Sequence, residues 1–380
     1  MFAKLRNLYF CWTGKLLSAR TKDKYILFVV HNETMFYYAL LYYKLLCQDK
    51  RLRIFFVFHK KDLAPKYKIL EYKKKYGIRS IPVIIAKIVP WNIIIYPDHD
   101  FFLQAQKSYA KKIAIGHGIF TGKGVEPETL YELDYKYTID KEGDFVYEKI
   151  FVSSDVFKET GIKLYPRLSN LIVSTGSLMF DEFLKTLEVN KNSIKNNKKT
   201  IAIASTWGSN SLMQCNWDVL LKQIPLLCRK YRILFFIHPN NFVKRHTKRN
   251  DWKKRLNELS KLDDLEIVNE PLNFISALAQ ADLLIADHTS VSLFFLGADR
   301  PFIYLYMKEA FLHRYSPFLE LREKAFTVED LFDIESKIEK AFKNYKSGNF
   351  NAILEKIVSY KGCADKKFRK EIYSLLNISE

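Results

Sequence analysis

Short apolar runs alternate with helix-like segments along this chain, and this alternation constrains the fold more than any other feature. In the first half the runs YILFVV, IFFVF, WNIIIY and KIAI occupy residues 25–30, 54–58, 91–96 and 112–115. Each run is short enough for a buried strand and is bounded by polar residues, proline or glycine. Residues 33–48, between the first two runs, have the length of a helix. Such an alternation predicts a parallel sheet that is covered by helices on both faces.

A second series of the same kind begins beyond residue 200. Its apolar runs lie at residues 201–204, 233–237, 265–268, 283–286 and 301–305, with helical patterns at 212–231 and 273–280. The stretch EVNKNSIKNNKKT at residues 188–200 lacks apolar periodicity and predicts a linker. Amphipathic patterns at residues 334–346 and 350–376 predict helices at the end of the chain.

These two series predict an α/β protein with two Rossmann-like, doubly wound domains. We expect the first domain at residues 1–190, the second at 200–345 and a helical segment at 346–380. Two such domains joined by a hinge would face each other across a central cleft. Ligands would then bind near the carboxyl ends of the strands.

The charge of the chain narrows the class of partner. Sixty-one lysines and arginines against 42 aspartates and glutamates leave a formal net charge of +19, while 48% of the residues are hydrophobic. An apolar fraction this high excludes a disordered basic tail, and the charge favours nucleic acid, an acidic membrane surface or phosphorylated substrates. The basic runs at residues 60–75 and 244–255 carry no nucleic-acid-binding signature, so we expect no nucleic acid partner. They predict either solvated helix faces or contact with an anionic membrane or polymer.

Cysteine usage and apolar run length bear on the compartment. The five cysteines include no C-x-x-C pair, which argues against a disulfide framework or a zinc site and favours a reducing cytosol. No apolar run reaches the roughly 18 residues that a spanning helix needs. Residues 1–20 are basic and aromatic, which is typical of either an ordinary first helix or an interfacial segment. Metal-ligand and cofactor motifs are missing from the sequence, so we expect neither a metal nor a cofactor.

A histidine between two glycines follows the fourth predicted strand. Gly116, His117 and Gly118 come directly after the run at 112–115, and Lys123 lies five residues beyond Gly118. An imidazole that titrates near neutrality can act as a general base on a hydroxyl. The structural alternative is a histidine that caps a turn, with the glycines supplying positive φ angles.

Two further strand ends in the second series carry polar residues. His238 and Pro239 follow the run at 233–237, and Asp287-His288-Thr289-Ser290 follows the run at 283–286. A strand-end imidazole can donate a hydrogen bond to a phosphate oxygen, or its bonds can be satisfied by the backbone. Thr289 and Ser290 predict an N-cap and a helix start suited to phosphate, although capping alone would also explain them.

In this order, over roughly residues 110–340, these segments resemble the CDP-glycerol glycerophosphotransferase family of teichoic-acid-type and capsule-type polymerases. The family's W-H-G-T-P-x-K-x-x-G segment is similar to residues 116–124, and its H-P to His238-Pro239. Its Y-x-P-T-W strand end is similar to Ala204-Ser205-Thr206-Trp207. Its A-D-x-L-I-T-D-Y-S-S-x-x-F-D segment is similar to residues 281–294, where Phe294 stands in place of the family's last Asp.

The resemblance implies a GT-B fold with the donor nucleotide on the second domain. It implies that His117 deprotonates an acceptor hydroxyl and that His238 also belongs to the catalytic machinery. A glycerol-phosphate or related alditol-phosphate unit would pass from a CDP-activated donor to a hydroxyl of a membrane-associated polymer or lipid, releasing CMP. The residues expected to bind the donor and its phosphates are Gly116, Gly118, Lys123, Ser205, Thr206, Asp287, Thr289 and Ser290.

Two alternatives remain open from the sequence. A nucleotide-sugar donor would make the protein a GT-B glycosyltransferase of capsule or lipopolysaccharide assembly. An anionic-polymer-binding protein of GT-B shape would carry out no transfer at all. As a transferase, the protein would lie in the cytoplasm as a peripheral protein on the cytoplasmic face of the cell membrane. Its expected partners are an anionic polymer or lipid-linked acceptor and the inner-leaflet surface.

Overall fold

A computed structural model describes most of the chain. The described residues are 23–59, 66–99, 110–116, 119–122, 129–130, 133–191, 198–242, 252–269, 273–308 and 312–379. They form two compact units. The first contains the described parts of Met1–Gly118, Tyr131–Met179 and Ser359–Glu380, and the second contains those of Ile119–Leu130 and Phe180–Val358. The domain boundaries expected at residues 1–190, 200–345 and 346–380 stay a prediction.

The first unit is built on a six-stranded sheet in which all neighbouring strands are parallel, in the order β2-β1-β3-β4-β5-β6. Its strands are β1 (Lys24–Val30), β2 (Leu52–Phe58), β3 (Ile93–Tyr96), β4 (Lys111–Ala114), β5 (Lys149–Val152) and β6 (Ile172–Ser174). The side chains of β3 are all buried, as expected for a strand covered on both faces.

The second unit contains another parallel six-stranded sheet, in the order β12-β11-β10-β7-β8-β9. Its strands are β7 (Thr200–Ser205), β8 (Arg232–Ile237), β9 (Leu265–Val268), β10 (Leu283–Ala286), β11 (Phe302–Leu305) and β12 (Phe326–Val328). The chain runs outward from β7 to β9 and then returns to β10 on the other side of β7. This reversal of strand order between β7 and β10 is the place where doubly wound sheets bind nucleotides, at the carboxyl ends of the strands.

Helices connect the strands in both units. They are α1 (Glu33–Leu46), α2 (Lys66–Tyr76), α3 (Val83–Ile88), α4 (Tyr135–Thr138), α5 (Asp155–Leu164), α6 (Leu178–Lys191), α7 (Leu212–Cys215), α8 (Trp217–Lys230), α9 (Trp252–Leu259), α10 (Phe274–Leu278), α11 (Ser290–Phe295), α12 (Pro317–Lys324), α13 (Ile334–Asn344), α14 (Asn351–Ile357) and α15 (Ala364–Leu376). Several begin at a side-chain cap. The Asn32 Oδ1 accepts the Met35 N–H at 2.8 Å, and the Ser154 Oγ accepts the Phe157 N–H at 3.0 Å.

Three expectations about helices and the linker differ from the structure. The helix predicted at 212–231 is two helices, which Asn216 separates. The one predicted at 350–376 is also two, and Gly362, between them, has a φ of 75° that does not fit a helix. The linker expected at 188–200 begins in the last turn of α6, which extends to Lys191. Within the described residues, no helix is both long enough and apolar enough to span a membrane.

Candidate active site

The strand ends that the sequence singled out in the second unit meet at one edge of its sheet. Ser205 ends β7 and Thr206 follows it, His238 follows β8, and Asp287 follows β10. Because β7 pairs with both β8 and β10, these residues lie side by side although they are distant in sequence. The Ser205 Oγ is 3.5 Å from the Asp287 Oδ2, across 82 sequence positions.

Asp287 is fully buried, and its carboxylate fastens the loop that follows β7. Its two oxygens accept the backbone N–H of Thr206 at 2.9 and 3.1 Å, and Oδ2 also accepts the N–H of Leu212 at 2.8 Å. The Ser205 hydroxyl accepts the Met213 N–H at 3.0 Å and donates to the Thr206 carbonyl at 2.9 Å. Hydrogen bonds to a buried carboxylate are strong. Asp287 and Ser205 therefore shape the edge of the sheet.

The His238 ring is fixed by the backbone that follows it. Its Nδ1 accepts the N–H of Asn240 at 3.1 Å. A neutral imidazole carries a single N–H, so this bond leaves the proton on Nε2. The Asn241 side-chain amide donates to the Thr206 carbonyl at 3.3 Å, which ties this turn to the end of β7. In the neutral form, the N–H of the His238 ring is therefore on Nε2.

Trp207 is a residue that the sequence analysis named only as part of a motif. Its side chain is 41% exposed, and its ring centre lies 6.2 Å from that of His238. A large exposed aromatic ring beside polar donors can stack on a planar or apolar part of a ligand. Trp207 could have been identified from the sequence as an aromatic residue directly after Ser205-Thr206, at a predicted strand end.

Thr289 and Ser290 lie at the start of α11, as expected. Thr289 is the N-cap residue, and the Ser292 hydroxyl donates to the Asp287 carbonyl at 2.8 Å. The helix has only six residues, so its macrodipole is small. Phe294 is buried and packs edge-on against Phe274, with ring centres 5.6 Å apart. The position where the family has its last Asp is therefore a core position here.

At the corresponding edge of the first sheet the structure describes Gly116 alone among the predicted residues. Gly116 has a φ of 62°, and a Cβ built on it would meet open space, so the backbone conformation accounts for the glycine. His117, Gly118 and Lys123 lie outside the described residues, and their roles stay predictions.

Three other histidines follow strands of the first sheet, and the sequence analysis missed them. His31 directly follows β1, His59 directly follows β2, and His99 comes three residues after β3. The rings of His31 and His59 are 6.3 Å apart, whereas His99 stacks on Tyr137 at 5.4 Å. With His117 after β4, a histidine follows each of the first four strands. That regularity was visible in the sequence once the strand ends were assigned.

Several residues of the two predicted basic runs lie on described helices. Of the predicted basic runs, the end of α2 carries Lys73, Lys74 and Lys75, and α9 carries Arg255, whose guanidinium lies 5.3 Å from the Trp252 ring. In the described part of the chain, no group of three or more His, Cys, Asp or Glu side chains is arranged to hold a metal ion.

A family model matches the chain by sequence, and solved structures resemble it in fold. The family model described as CDP-Glycerol:Poly(glycerophosphate) glycerophosphotransferase matches residues 15–321. No curated protein matches the chain by sequence. The solved structure of the H444N variant of the wall teichoic acid polymerase TagF is similar with a TM-score of 0.64 and 13% identity, covering 99% of this chain and 97% of that chain.

Two other solved proteins share the fold. S. aureus MnaA, solved with UDP, has a TM-score of 0.59 at 11% identity, covering 94% of this chain and 98% of that chain. UDP-GlcNAc 2-epimerase from Neisseria meningitidis, bound to UDP-GlcNAc, has a TM-score of 0.54 at 12% identity, covering 92% and 100%. At such identities the likeness is one of fold. It confirms the predicted α/β class with two Rossmann-like sheets, as in GT-B proteins.

Proposed function

Because the chain belongs to the CDP-glycerol:poly(glycerophosphate) glycerophosphotransferase family, we propose that it transfers a glycerol-phosphate or related alditol-phosphate unit from a CDP-activated donor. The acceptor is a hydroxyl group of a cell-surface polymer or lipid, and CMP is released. The observation that carries the proposal is the set of polar groups at the reversal between β7 and β10. There, an Nε2–H donor on His238 lies beside a loop that Asp287 fixes.

In the proposed reaction, the acceptor oxygen attacks the β-phosphorus of the donor while His117 takes the hydroxyl proton. The bond from that phosphorus to the oxygen bridging the two phosphorus atoms breaks, and CMP leaves with the electron pair. Such a transfer requires positioning and charge stabilisation more than covalent help from the protein. We propose that the His238 Nε2–H donates to a phosphate oxygen, where Thr289, Ser290 and Lys123 add further contacts.

The other predicted donor-site residues act through the backbone in this proposal. Asp287 and Ser205 hold the Thr206 segment in place, and Gly116 supplies a left-handed turn directly before His117. Gly118 and Lys123 remain candidates through their place in the family motif.

We further propose that the acceptor is an anionic polymer or lipid-linked chain at the cytoplasmic face of the membrane, as in teichoic-acid or capsule assembly. The net charge of +19 supports this, because donor, product and inner leaflet are all anionic. His31 and His59, at the carboxyl edge of the first sheet, are additional candidates to contact the acceptor.

Alanine variants of the two catalytic candidates test the mechanism. We expect His117→Ala to lower kcat for CMP release by at least about 100-fold, because a general base contributes roughly that much, with little change in the KM for CDP-glycerol. His238→Ala removes a donor to developing negative charge, and we expect a loss of about 100-fold in kcat. If both variants kept the wild-type rate of transfer, the proposed mechanism would be wrong.

A further inference from the structure

The short helix α3 presents two isoleucines to solvent on one face. Ile84 and Ile88 are 68% and 49% exposed, and at a spacing of four residues they are neighbours on the helix surface. Lys87 is exposed beside them. The opposite face is fixed, because Ala86 is buried and its carbonyl accepts the indole N–H of the buried Trp91 at 2.9 Å. An adjacent apolar pair held in water indicates a surface for an apolar partner, unlike a scattered single side chain.

A cluster of cationic groups lies near α3 in the first unit. The Lys44 and Lys75 Nζ atoms are 5.9 and 5.3 Å from the centre of the Tyr76 ring, so α1 and α2 bring their charges together there. Arg79 follows three residues after Tyr76 and is exposed, as both lysines are. Residues 66–90 contain seven lysines and arginines against one glutamate. The segment that leads to α3 is therefore strongly cationic.

The backbone between the cluster and α3 is fastened to the edge of the first sheet. The Phe56 N–H donates to the Arg79 carbonyl at 2.8 Å, and the Ile81 N–H donates to the Phe56 carbonyl at 2.9 Å. These bonds hold the segment alongside β2, the outermost strand of the sheet. Five residue steps separate Arg79 from Ile84, so their Cα atoms are at most about 18 Å apart at roughly 3.6 Å per residue. The cations and the isoleucines thus belong to one fixed region of the first unit.

An anionic lipid bilayer complements both kinds of side chain. Each lysine or arginine near anionic headgroups strengthens binding by roughly fivefold, and apolar side chains insert at the boundary between the headgroups and the acyl chains. A soluble phosphate polymer would bind the cations but offers no acyl region to the isoleucines. The composition of this region therefore favours a membrane over a soluble polyanion.

We propose that a docking face, consisting of Lys44, Lys75, Arg79, Ile84 and Ile88, binds the surface of an anionic bilayer. The isoleucines enter the headgroup boundary, and the cations contact the lipid phosphates. This rests on the proposed function in one respect, since a membrane-bound acceptor gives the attachment its use. The docking face contains none of the residues proposed for donor binding or catalysis. Its loss should reduce membrane binding and leave transfer to a soluble acceptor unchanged.

Vesicle flotation of the full chain tests the apolar part of the docking face. The vesicles consist of phosphatidylcholine alone or of its mixture with phosphatidylglycerol. We expect the double variant Ile84→Ser, Ile88→Ser to lower the partition coefficient on the anionic vesicles at least about tenfold. The matched control is Val189→Ser, Phe332→Ser, because these side chains of the second unit are 69% and 64% exposed. The control should stay within about twofold of the wild type.

A triple variant tests the cationic part. Lys44→Gln, Lys75→Gln and Arg79→Gln together should lower binding to the anionic vesicles by about 100-fold, at roughly fivefold per charge. Added salt should weaken the wild-type binding as well. A control that replaces three exposed lysines of the second unit by glutamine removes the same net charge and should cost less than about threefold. Its positions are Lys340, Lys343 and Lys346.

Wild-type flotation of the isoleucine variant, or equal binding of the wild-type protein to both kinds of vesicle, would overturn the proposal. A loss confined to the charge variant, with a parallel loss of binding to soluble poly(glycerol phosphate), would overturn it in favour of a polyanion site. All the replaced side chains are at least partly exposed, and thermal unfolding verifies that each variant is folded.

Failure of the proposed function gives a different result. In that case the wild-type protein releases no CMP from CDP-glycerol, whatever the vesicles show. If CMP release with a soluble acceptor is normal and no variant changes flotation, only the docking face is wrong.

Discussion

At the scale of single residues, the candidate site divides into groups that can meet a ligand and groups that hold others. His238 and Trp207 belong to the first kind, since one offers an Nε2–H donor and the other an exposed ring. Asp287 belongs to the second kind, because three backbone N–H bonds occupy its buried carboxylate. The sequence analysis assigned Asp287 to donor binding and His238 to the catalytic machinery, and it gave Trp207 no role of its own.

Asp287→Asn tests the holding role. An amide group in place of the carboxylate removes the charge and turns one acceptor oxygen into a donor facing backbone N–H groups. We expect a loss of about 2 to 3 kcal/mol in the free energy of unfolding, measured by urea denaturation. The KM for CDP-glycerol should also rise several-fold, because the loop after β7 is loosened.

Asp264→Asn is the control for this variant. The Asp264 side chain is 38% exposed and pairs with Lys198 at 2.7 Å, so its loss should cost less than about 1 kcal/mol. Equal midpoints of unfolding for the two variants would show that Asp287 does not hold the loop.

At the scale of elements, the strands with a clear apolar run were predictable, and β5, β6 and β12 were not. The runs that became β1, β7, β8 and β10 are almost entirely buried and stand out from their surroundings. β5, β6 and β12 have only four, three and three residues, too few to show a period, and the sequence analysis missed them. Their position depends on pairing with neighbouring strands, which a local pattern does not encode.

The same reasoning applies to the candidate site. His238, Thr206 and Thr289 were identifiable because each follows a recognisable strand within a family motif. The hydrogen bond from the Thr206 N–H to the Asp287 carboxylate joins residues 81 positions apart in sequence. No local pattern reports such contacts. The histidines after β1 and β2 are neighbours only because those two strands pair.

A buried lysine in β4 gives this element a pH-dependent stability. Lys112 is 8% exposed, and its burial lowers the pKa of the ammonium group from 10.5 to about 8, against a small opposing effect of Asp140. Below pH 8 the folded protein carries the cost of a buried charge. Between pH 8 and 10.5 the unfolded state binds more protons than the folded state, so this contribution to the free energy of unfolding rises with pH.

Lys112→Met should therefore be more stable than the wild type at pH 7, by up to about 3 kcal/mol at 1.4 kcal/mol per pKa unit. The difference in the free energy of unfolding between Lys112→Met and the wild type should shrink towards zero as the pH approaches 10.5. Urea denaturation at several pH values measures it, with Lys149→Met as the control on the neighbouring strand β5. A difference that stays constant from pH 7 to 10 would contradict burial of a titrating ammonium group.

At the scale of the whole molecule, family membership, strand order and net charge all support the proposed transfer. The family model covers residues 15–321, and the second sheet has the strand order of nucleotide-binding folds, with polar residues at its reversal. The net charge of +19 suits a protein whose proposed donor, acceptor and membrane surface are anionic. Shared fold does not separate a CDP-glycerol donor from a nucleotide sugar, because TagF soaked with CDPG and an epimerase bound to UDP-GlcNAc both resemble this chain.

The identity of the donor is therefore the central claim to test. The full chain is incubated with a short synthetic poly(glycerol phosphate) acceptor and, in separate reactions, with CDP-glycerol, CDP-ribitol, UDP-sugars and CMP-sugars. Released nucleotide is quantified by chromatography, and the increase in the molecular mass of the acceptor is measured by mass spectrometry. We predict one CMP released from CDP-glycerol for each glycerol-phosphate unit added to the acceptor. Release of nucleotide from a sugar donor with addition of a sugar, and none from CDP-glycerol, would contradict the account.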